Sequence, residues 1–294
     1  MKTCNVEDKN VEVMAHLNDT RFIEYFERKV RKNIRQYKLF TKEDKIGVAV
    51  SGGKDSTACL YVLKKLGYDV EAITIDAHIG CYTEENLKNI KEVCKKYKVK
   101  LHVVPFRKEF GSSLCHIQDI LKEKGQECSS CMICGVLKRY LLNKYAKKLK
   151  FDYLATGHNL DDEAQAFIMN VFRNDAKLAR RQGPRSKASK GFVCRVKPLY
   201  WISESEVVRY TKILKFPVNY GICPCSVDAY RREYLNMLDK FEKKNPSLKY
   251  NILRFHESLT NSPARDGQVN VCKCGEPCSQ NICKACEILK ILKK

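Results

Sequence analysis

The sequence predicts an α/β fold, a parallel sheet covered by helices and followed by a small cysteine-rich C-terminal unit. Three observations predict it. From Ile46 onward short apolar strands alternate with amphipathic helical segments. One of those strands runs straight into the glycine-bearing turn SGGKDS, residues 51–56, and then into a helix. The tail from Val271 carries five closely spaced cysteines and too few apolar residues for a core of its own.

The elements follow in order. Phe22 to Tyr37, FIEYFERKVRKNIRQY, reads as a basic helix. IGVAV from Ile46, the helix Asp55 to Leu66, VEAITI, the helix Thr83 to Tyr97 and LHVVPF make a βαβαβ run. A helix from near Gly135 to Lys148, the strand Tyr153 to Ala155 and a helix entered through Asp161 and Asp162 continue the alternation. Glu204 to Lys215 and Ala229 to Lys243 also read as helices, and the basic, small-residue stretch Asn174 to Lys190 reads as an exposed loop. Such alternation implies a Rossmann-like parallel sheet that binds ligands at the carboxyl ends of its strands.

Composition narrows the function. A chain of 294 residues, 44% hydrophobic, can bury a substantial core. It has no N-terminal apolar run and no stretch near the ~20 apolar residues that span a bilayer, which argues against secretion and membrane insertion. Sixteen cysteines in such a chain point to intracellular, cytoplasmic thiolates that bind metal or do chemistry. Lysine and arginine total 55 against 34 acidic residues, a formal charge of +21. That field suits a polyanion such as nucleic acid, although a solvated lysine-rich surface gives the same count.

The SGGKDS turn has the parts of a phosphate site. Gly52 and Gly53 let backbone amides converge on an anion, and the following helix adds its positive end. Lys54 supplies a mobile cation, Ser51 and Ser56 supply hydroxyls, and Asp55 can hold magnesium or cap the helix. The spacing is not that of a Walker motif. It resembles the PP-loop, or N-type ATP pyrophosphatase, superfamily, whose members cleave ATP between the α and β phosphates and leave AMP on a substrate oxygen. A second element of that resemblance is ATGHNLDDEAQ, residues 155–165. It implies close backbone approach at Gly157, a carboxylate at Asp162 and nucleotide contact near His158. Ile75 and His78, at the end of the second strand, fall where adenine or ribose is expected.

Between these motifs lies CSSCMICGVLKRY, and downstream GICPCS adds Cys223 and Cys225. Three cysteines around one iron–sulfur site leave an iron open to an external sulfur, whereas structural zinc takes four protein ligands. The pattern resembles the TtcA/TtuA group of tRNA thiolases, and more narrowly the archaeal and eukaryotic tRNA 2-thiouridine synthetases. The resemblance implies Cys131, Cys134 and Cys223 as ligands of a 4Fe-4S cluster and Lys138 beside the nucleotide. Cys128 and Cys225 depart from the pattern and remain spare thiols, alternate ligands or persulfide carriers.

The tail VCKCGEPCSQNICKACEIL brings two cysteine pairs to one Zn2+ ion. Cys272, Cys274, Cys283 and Cys286 are the expected ligands, with Cys278 an alternative to the first. The family also carries an N-terminal zinc finger, but here Asn18 and Arg21 stand in two ligand places, so that finger is expected to be lost. The basic helix beside it can present Arg28, Arg31, Lys32 and Arg35 to phosphates or simply to solvent.

The expected organisation is an N-terminal segment over residues 1–40, a PP-loop domain over 41–225, a helical extension over 226–270 and a zinc finger over 271–294. The resemblance implies ATP-dependent adenylation of a uridine C2 oxygen in tRNA, then sulfur transfer, with Lys54, Asp55, Lys138, Asp162 and the three cysteines as the catalytic set. ATP, Mg2+, the cluster and Zn2+ are its cofactors. Sulfide or a ubiquitin-like carrier is its sulfur source, and a homodimer its expected assembly. A cluster-free persulfide route, 2-thiocytidine synthesis, another PP-loop tRNA modification, and a zinc- and RNA-binding protein with a vestigial nucleotide fold stay open.

Overall fold

The computed structural model describes residues 16–77, 80–125, 130–186, 191–221, 223, 231–260, 270–278 and 280–292. The chain opens with helix α1 (Asp19–Gln36), capped by the Asn18 side chain, which accepts from Arg21 N at 2.9 Å. Asn18 and Arg21 thus both sit at the start of this helix. Phe22, Phe26, Val30 and Ile34 repeat every four residues and are buried, so one stripe of α1 faces the core.

Five parallel strands follow: β1 (Lys45–Ala49), β2 (Asp69–Asp76), β3 (Leu101–Pro105), β4 (Tyr153–Thr156) and β5 (Cys194–Val196), in the order β3-β2-β1-β4-β5. Strand β1 lies in the middle, with Val48 beside Ala72 of β2 and Ala155 of β4. The chain leaves β1 toward β2 on one side and reaches β4 on the other. That reversal of strand order opens a crevice at the carboxyl ends of β1 and β4.

Helices α2 (Lys54–Lys65) and α3 (Gly80–Lys96) cross over between the first strands. After β3 come α4 (Phe106–Phe110), α5 (Leu114–Glu123) and α6 (Ser130–Lys148); after β4 come α7 (Leu160–Phe172) and α8 (Ala176–Arg181). Helices α9 (Glu204–Ile213), α10 (Arg231–Glu242) and α11 (Leu248–Thr260) precede the hairpin β6 (Asn270–Val271) and β7 (Pro277–Cys278) and helix α12 (Lys284–Leu292).

Two cores flank the sheet. One joins α1, α2, α9 and the buried side of β1, where Phe26 stacks on Tyr210 at 3.9 Å. The other joins Ile73, Val104, Ile117, Leu137 and Leu141 with Cys272, Cys283 and Ile288 of the tail. A third cluster, Leu160, Tyr200, Leu238 and Leu253, fixes α10 and α11 to α7.

The structure corrects the sequence expectations at two places. Helix α6 begins at Ser130, not near Gly135, because its buried stripe Ile133, Leu137 and Leu141 runs through the cysteine motif and Gly135 is tolerated inside it. The stretch expected to be a loop contains α8, which Asp175 caps by accepting from Leu178 N at 2.9 Å. Its Ala179 is buried, with the Ala179 carbonyl held by His256 Nε2 at 2.9 Å. No described helix is long and apolar enough to cross a membrane.

Candidate active site

The phosphate turn sits where β1 ends and α2 begins. Gly52 takes φ +85°, and a Cβ there would meet Asn86 Cβ at 2.6 Å, so both conformation and space demand glycine. Ser56 Oγ accepts from Ser51 N at 3.1 Å and donates to Gly53 O at 3.2 Å, which draws the turn into a closed loop. Gly53 is the N-cap of α2 without a side-chain cap, leaving the first amides of the helix for an anion.

Lys54 reaches two carboxylates, Asp55 at 3.0 Å and Glu204 at 2.7 Å. Burial works against its charge, but these partners outweigh it and hold the ammonium above the usual lysine range. Asp55 is held above the usual carboxylate range by burial, with Lys54 opposing and the nearby Asp162 adding to the rise. Two carboxylates in mutual repulsion beside a phosphate turn form a donor set suited to a hard divalent cation.

The second motif is packed against the first. A Cβ on Gly157 would lie 2.7 Å from Ser56 N, so this glycine admits the backbone of the phosphate turn itself. Asn159 caps α7 in a capping box with Asp162 and donates from Nδ2 to Asp55 Oδ1 at 2.9 Å. The two adjacent aspartates diverge. Asp161 bonds buried Lys249 and accepts from Glu204 N at 2.8 Å, a structural anchor, whereas Asp162 accepts from Arg231 at 3.0 Å and faces Asp55. His158, exposed at this turn, bonds Thr156 Oγ1 through Nδ1 at 2.9 Å.

Helix α6 carries Cys131, Cys134 and Lys138 at positions i, i+3 and i+7, which share one helix face. Cys223 comes from a segment well downstream in the chain. Asn219 N donates to Gly52 O at 3.4 Å and forms a bridge with Gly53, so the strand-like segment leading to Cys223 runs alongside the phosphate turn. The Cys131 thiol is raised by burial and by the neighbouring Cys134 and Cys223, with Lys138 acting against the rise. A cleft of 220 Å³ is lined jointly by Ser51, Ile75, Asn86, Lys138 and Cys223. Phosphate turn, strand end and thiol therefore open into one space. His78, Cys128 and Cys225 lie outside the described residues.

Three residues of this site were missed from sequence. Asn86, on α3, is 4% exposed and its Oδ1 has no hydrogen-bond partner among the described residues, an acceptor that a nucleotide donor would satisfy. Asn159 and Glu204 orient Asp55 and Lys54. Only the N-cap position of Asn159 carried a local signal.

The tail forms a separate centre. The sulfurs of Cys272, Cys274, Cys283 and Cys286 all lie within 4.8 Å of one another, the spread that four thiolates around one tetrahedral ion require. Backbone N–H groups of Cys274 and Cys283 hold the Cys272 thiol down at about 6. Cys278 turns away and donates to Gln280 O at 2.8 Å. Among the described residues, Cys131, Cys134 and Cys223 form no set this tight.

A phosphate turn at the switch point of a parallel sheet, with the Cys223 thiol at the same cleft, defines a nucleotide-using α/β enzyme. A family model of the PP-loop domain matches residues 23–219. The chain is 36% identical to the tRNA-5-methyluridine(54) 2-sulfurtransferase of Pyrococcus horikoshii, over 95% of this chain and 89% of that one. It is 34% identical to the cytoplasmic tRNA 2-thiolation protein 1 of Drosophila pseudoobscura pseudoobscura, over 93% and 81% respectively. Among solved structures it resembles the U34-tRNA thiolase NcsA of Methanococcus maripaludis, described with its [4Fe-4S] cluster, at TM-score 0.80 and 31% identity over 93% of this chain and 89% of that one. The chain belongs to the PP-loop family of ATP-using enzymes, in its branch of tRNA sulfurtransferases.

Proposed function

We propose that this protein converts a uridine of tRNA to 2-thiouridine by adenylating the C2 oxygen and then replacing that oxygen with sulfur. The observation that carries the reading is the shared cleft of Ser51, Lys138 and Cys223. A uridine carbonyl has no leaving group until AMP is attached, so activation and sulfur delivery must occur within reach of each other.

In this scheme the amides of Gly52 and Gly53 and the α2 N-terminus bind the β and γ phosphates, and Ser51 and Ser56 shape that turn. The uridine O2 attacks the α phosphorus, its bond to the β-phosphate oxygen breaks, and pyrophosphate leaves. Lys54 offsets the charge that gathers on the departing group. Asp55 and Asp162 hold a magnesium ion, which neutralises phosphate charge when bound. Ile75, Asn86 and Gly157 bound the nucleotide site. Lys138 stands by the AMP phosphate.

Cys131, Cys134 and Cys223 are the residues that hold a 4Fe-4S cluster, and when bound it supplies an iron without a protein ligand where sulfur can be carried. The incoming sulfur, from sulfide or a ubiquitin-like carrier, bonds to C2, and the C2–oxygen bond breaks to release AMP. Cys272, Cys274, Cys283 and Cys286 hold zinc and keep the tail folded. A cytoplasmic location and a homodimer complete the reading.

The test is anaerobic reaction of the iron-loaded protein with ATP, sulfide and unmodified tRNA, followed by nucleoside digestion. The expected product is 2-thiouridine with one pyrophosphate per sulfur. Fragments of the anticodon and T loops identify the position modified. Formation of 2-thiocytidine, or no pyrophosphate with any tRNA, overturns the proposal.

A further inference from the structure

We propose that the groove between α1, Trp201 and α11 is a stacking subsite for an unpaired nucleotide of tRNA, apart from the cleft of the phosphate turn. It rests on the reading of tRNA as substrate and adds to it the place where the strand is gripped.

The groove has a volume of 500 Å³, with Tyr25, Arg28, Lys32, Trp201, Tyr250 and Arg254 in its lining. The rings of Trp201 and Tyr250 are parallel to within 7°, with centroids 6.0 Å apart. Their polar atoms are already engaged. Trp201 Nε1 donates to Tyr37 OH, which donates to Glu257 at 2.7 Å, and Tyr250 OH accepts from Lys29 at 3.0 Å. Lys29 is itself neutralised by Glu206 at 2.8 Å. These bonds fix the rings and leave half-buried aromatic faces at the groove wall, a preorganised surface for another flat ring.

The charge around the rings selects the ligand. Arg28 and Lys32 are exposed, one helical turn apart, and have no carboxylate partner among the described residues. Aromatic faces bordered by unpaired cations match a base together with its phosphates. A paired helix hides its base faces, so the ligand is an unpaired segment. The groove is also linked to the chemistry: Trp201 lies three residues before Glu204, whose carboxylate holds Lys54 at 2.7 Å. Three residues span at most about 11 Å, so the backbone at the groove wall and the backbone that carries the Lys54 partner are neighbours.

Trp201 is the sole tryptophan of the chain, so its emission reports on the groove directly. With the full chain and an unmodified tRNA transcript, emission is expected to be quenched in step with binding measured by filter retention, while ATP alone leaves it unchanged. Tyr250→Leu should weaken tRNA binding by about 10-fold or more and Tyr250→Phe should keep it. Unchanged ATP affinity marks both variants as folded. Arg28→Ala and Lys32→Ala should each lower the salt slope of binding by about 0.7–0.9. Bound tRNA with unaltered emission, or Tyr250→Leu at full affinity, overturns the subsite and leaves thiolation standing. Quenching by a ubiquitin-like carrier in place of tRNA assigns the groove to a protein partner and overturns it too. No tRNA bound at all overturns both readings.

Discussion

The two thiol centres of this protein are built in opposite ways. At the tail, four sulfurs converge within 4.8 Å and two of them, Cys272 and Cys283, belong to the buried core beside α5 and α6. Cys131, Cys134 and Cys223 are half-buried and form no such tight set, and Cys223 lines the cleft together with Ser51 and Lys138. A saturated set can stabilise a fold but offers no position for a reactant. An unsaturated set at a cleft wall can accept one.

Mutations should break this comparison cleanly. The largest effect is expected for Cys131→Ser: sulfur incorporation should fall by roughly 10³-fold or more, with ATP binding retained. Parallel loss of ATP binding would show the cleft thiols to be structural after all. Cys283→Ser is expected to act on the other quantity, lowering the melting temperature by about 10 °C or more through loss of a folding-coupled metal. A calorimetric scan with and without a zinc chelator measures it, and a chelator-insensitive wild type would contradict the assignment.

A smaller effect sharpens the boundary between the centres. Asn143 donates to Glu276 Oε2 at 2.6 Å and to Gly191 O at 3.1 Å and accepts from Val193 N at 3.0 Å, tying the tail to α6. Asn143→Ala should cost about 1–3 kcal/mol by chemical denaturation, because it strands three half-buried partners. The smallest effect is expected at Cys278, which faces Gln280 O and not the metal set. Cys278→Ser should change stability by less than about 0.5 kcal/mol and leave zinc content unchanged.

Much of this was legible in the sequence, but unevenly. The βαβ alternation marked the central strands because local periodicity records which face is buried. The phosphate turn was visible because Gly52, Gly53 and Lys54 adjoin in the chain. Strand β5, three residues long, has no period to read, and α8 is short and basic with its burial confined to Ala179. Glu204 and Asn86 reach the site only through tertiary contacts, so no local pattern marks them. The distinction between Asp161 and Asp162 depends on Lys249 and Arg231, far along the chain, and needed coordinates.

Helix α6 spans both centres, with Cys131 and Cys134 in its first turns and Asn143 and Lys147 bonded to the tail near its end. Its 19 residues act as a shaft whose pitch fixes the angular offset between the two ends. One residue inserted between Cys134 and Asn143 would rotate the cysteine face by about 100° relative to the anchored tail. This segment is therefore closed to insertions and deletions of single codons, however freely its exposed side chains are exchanged.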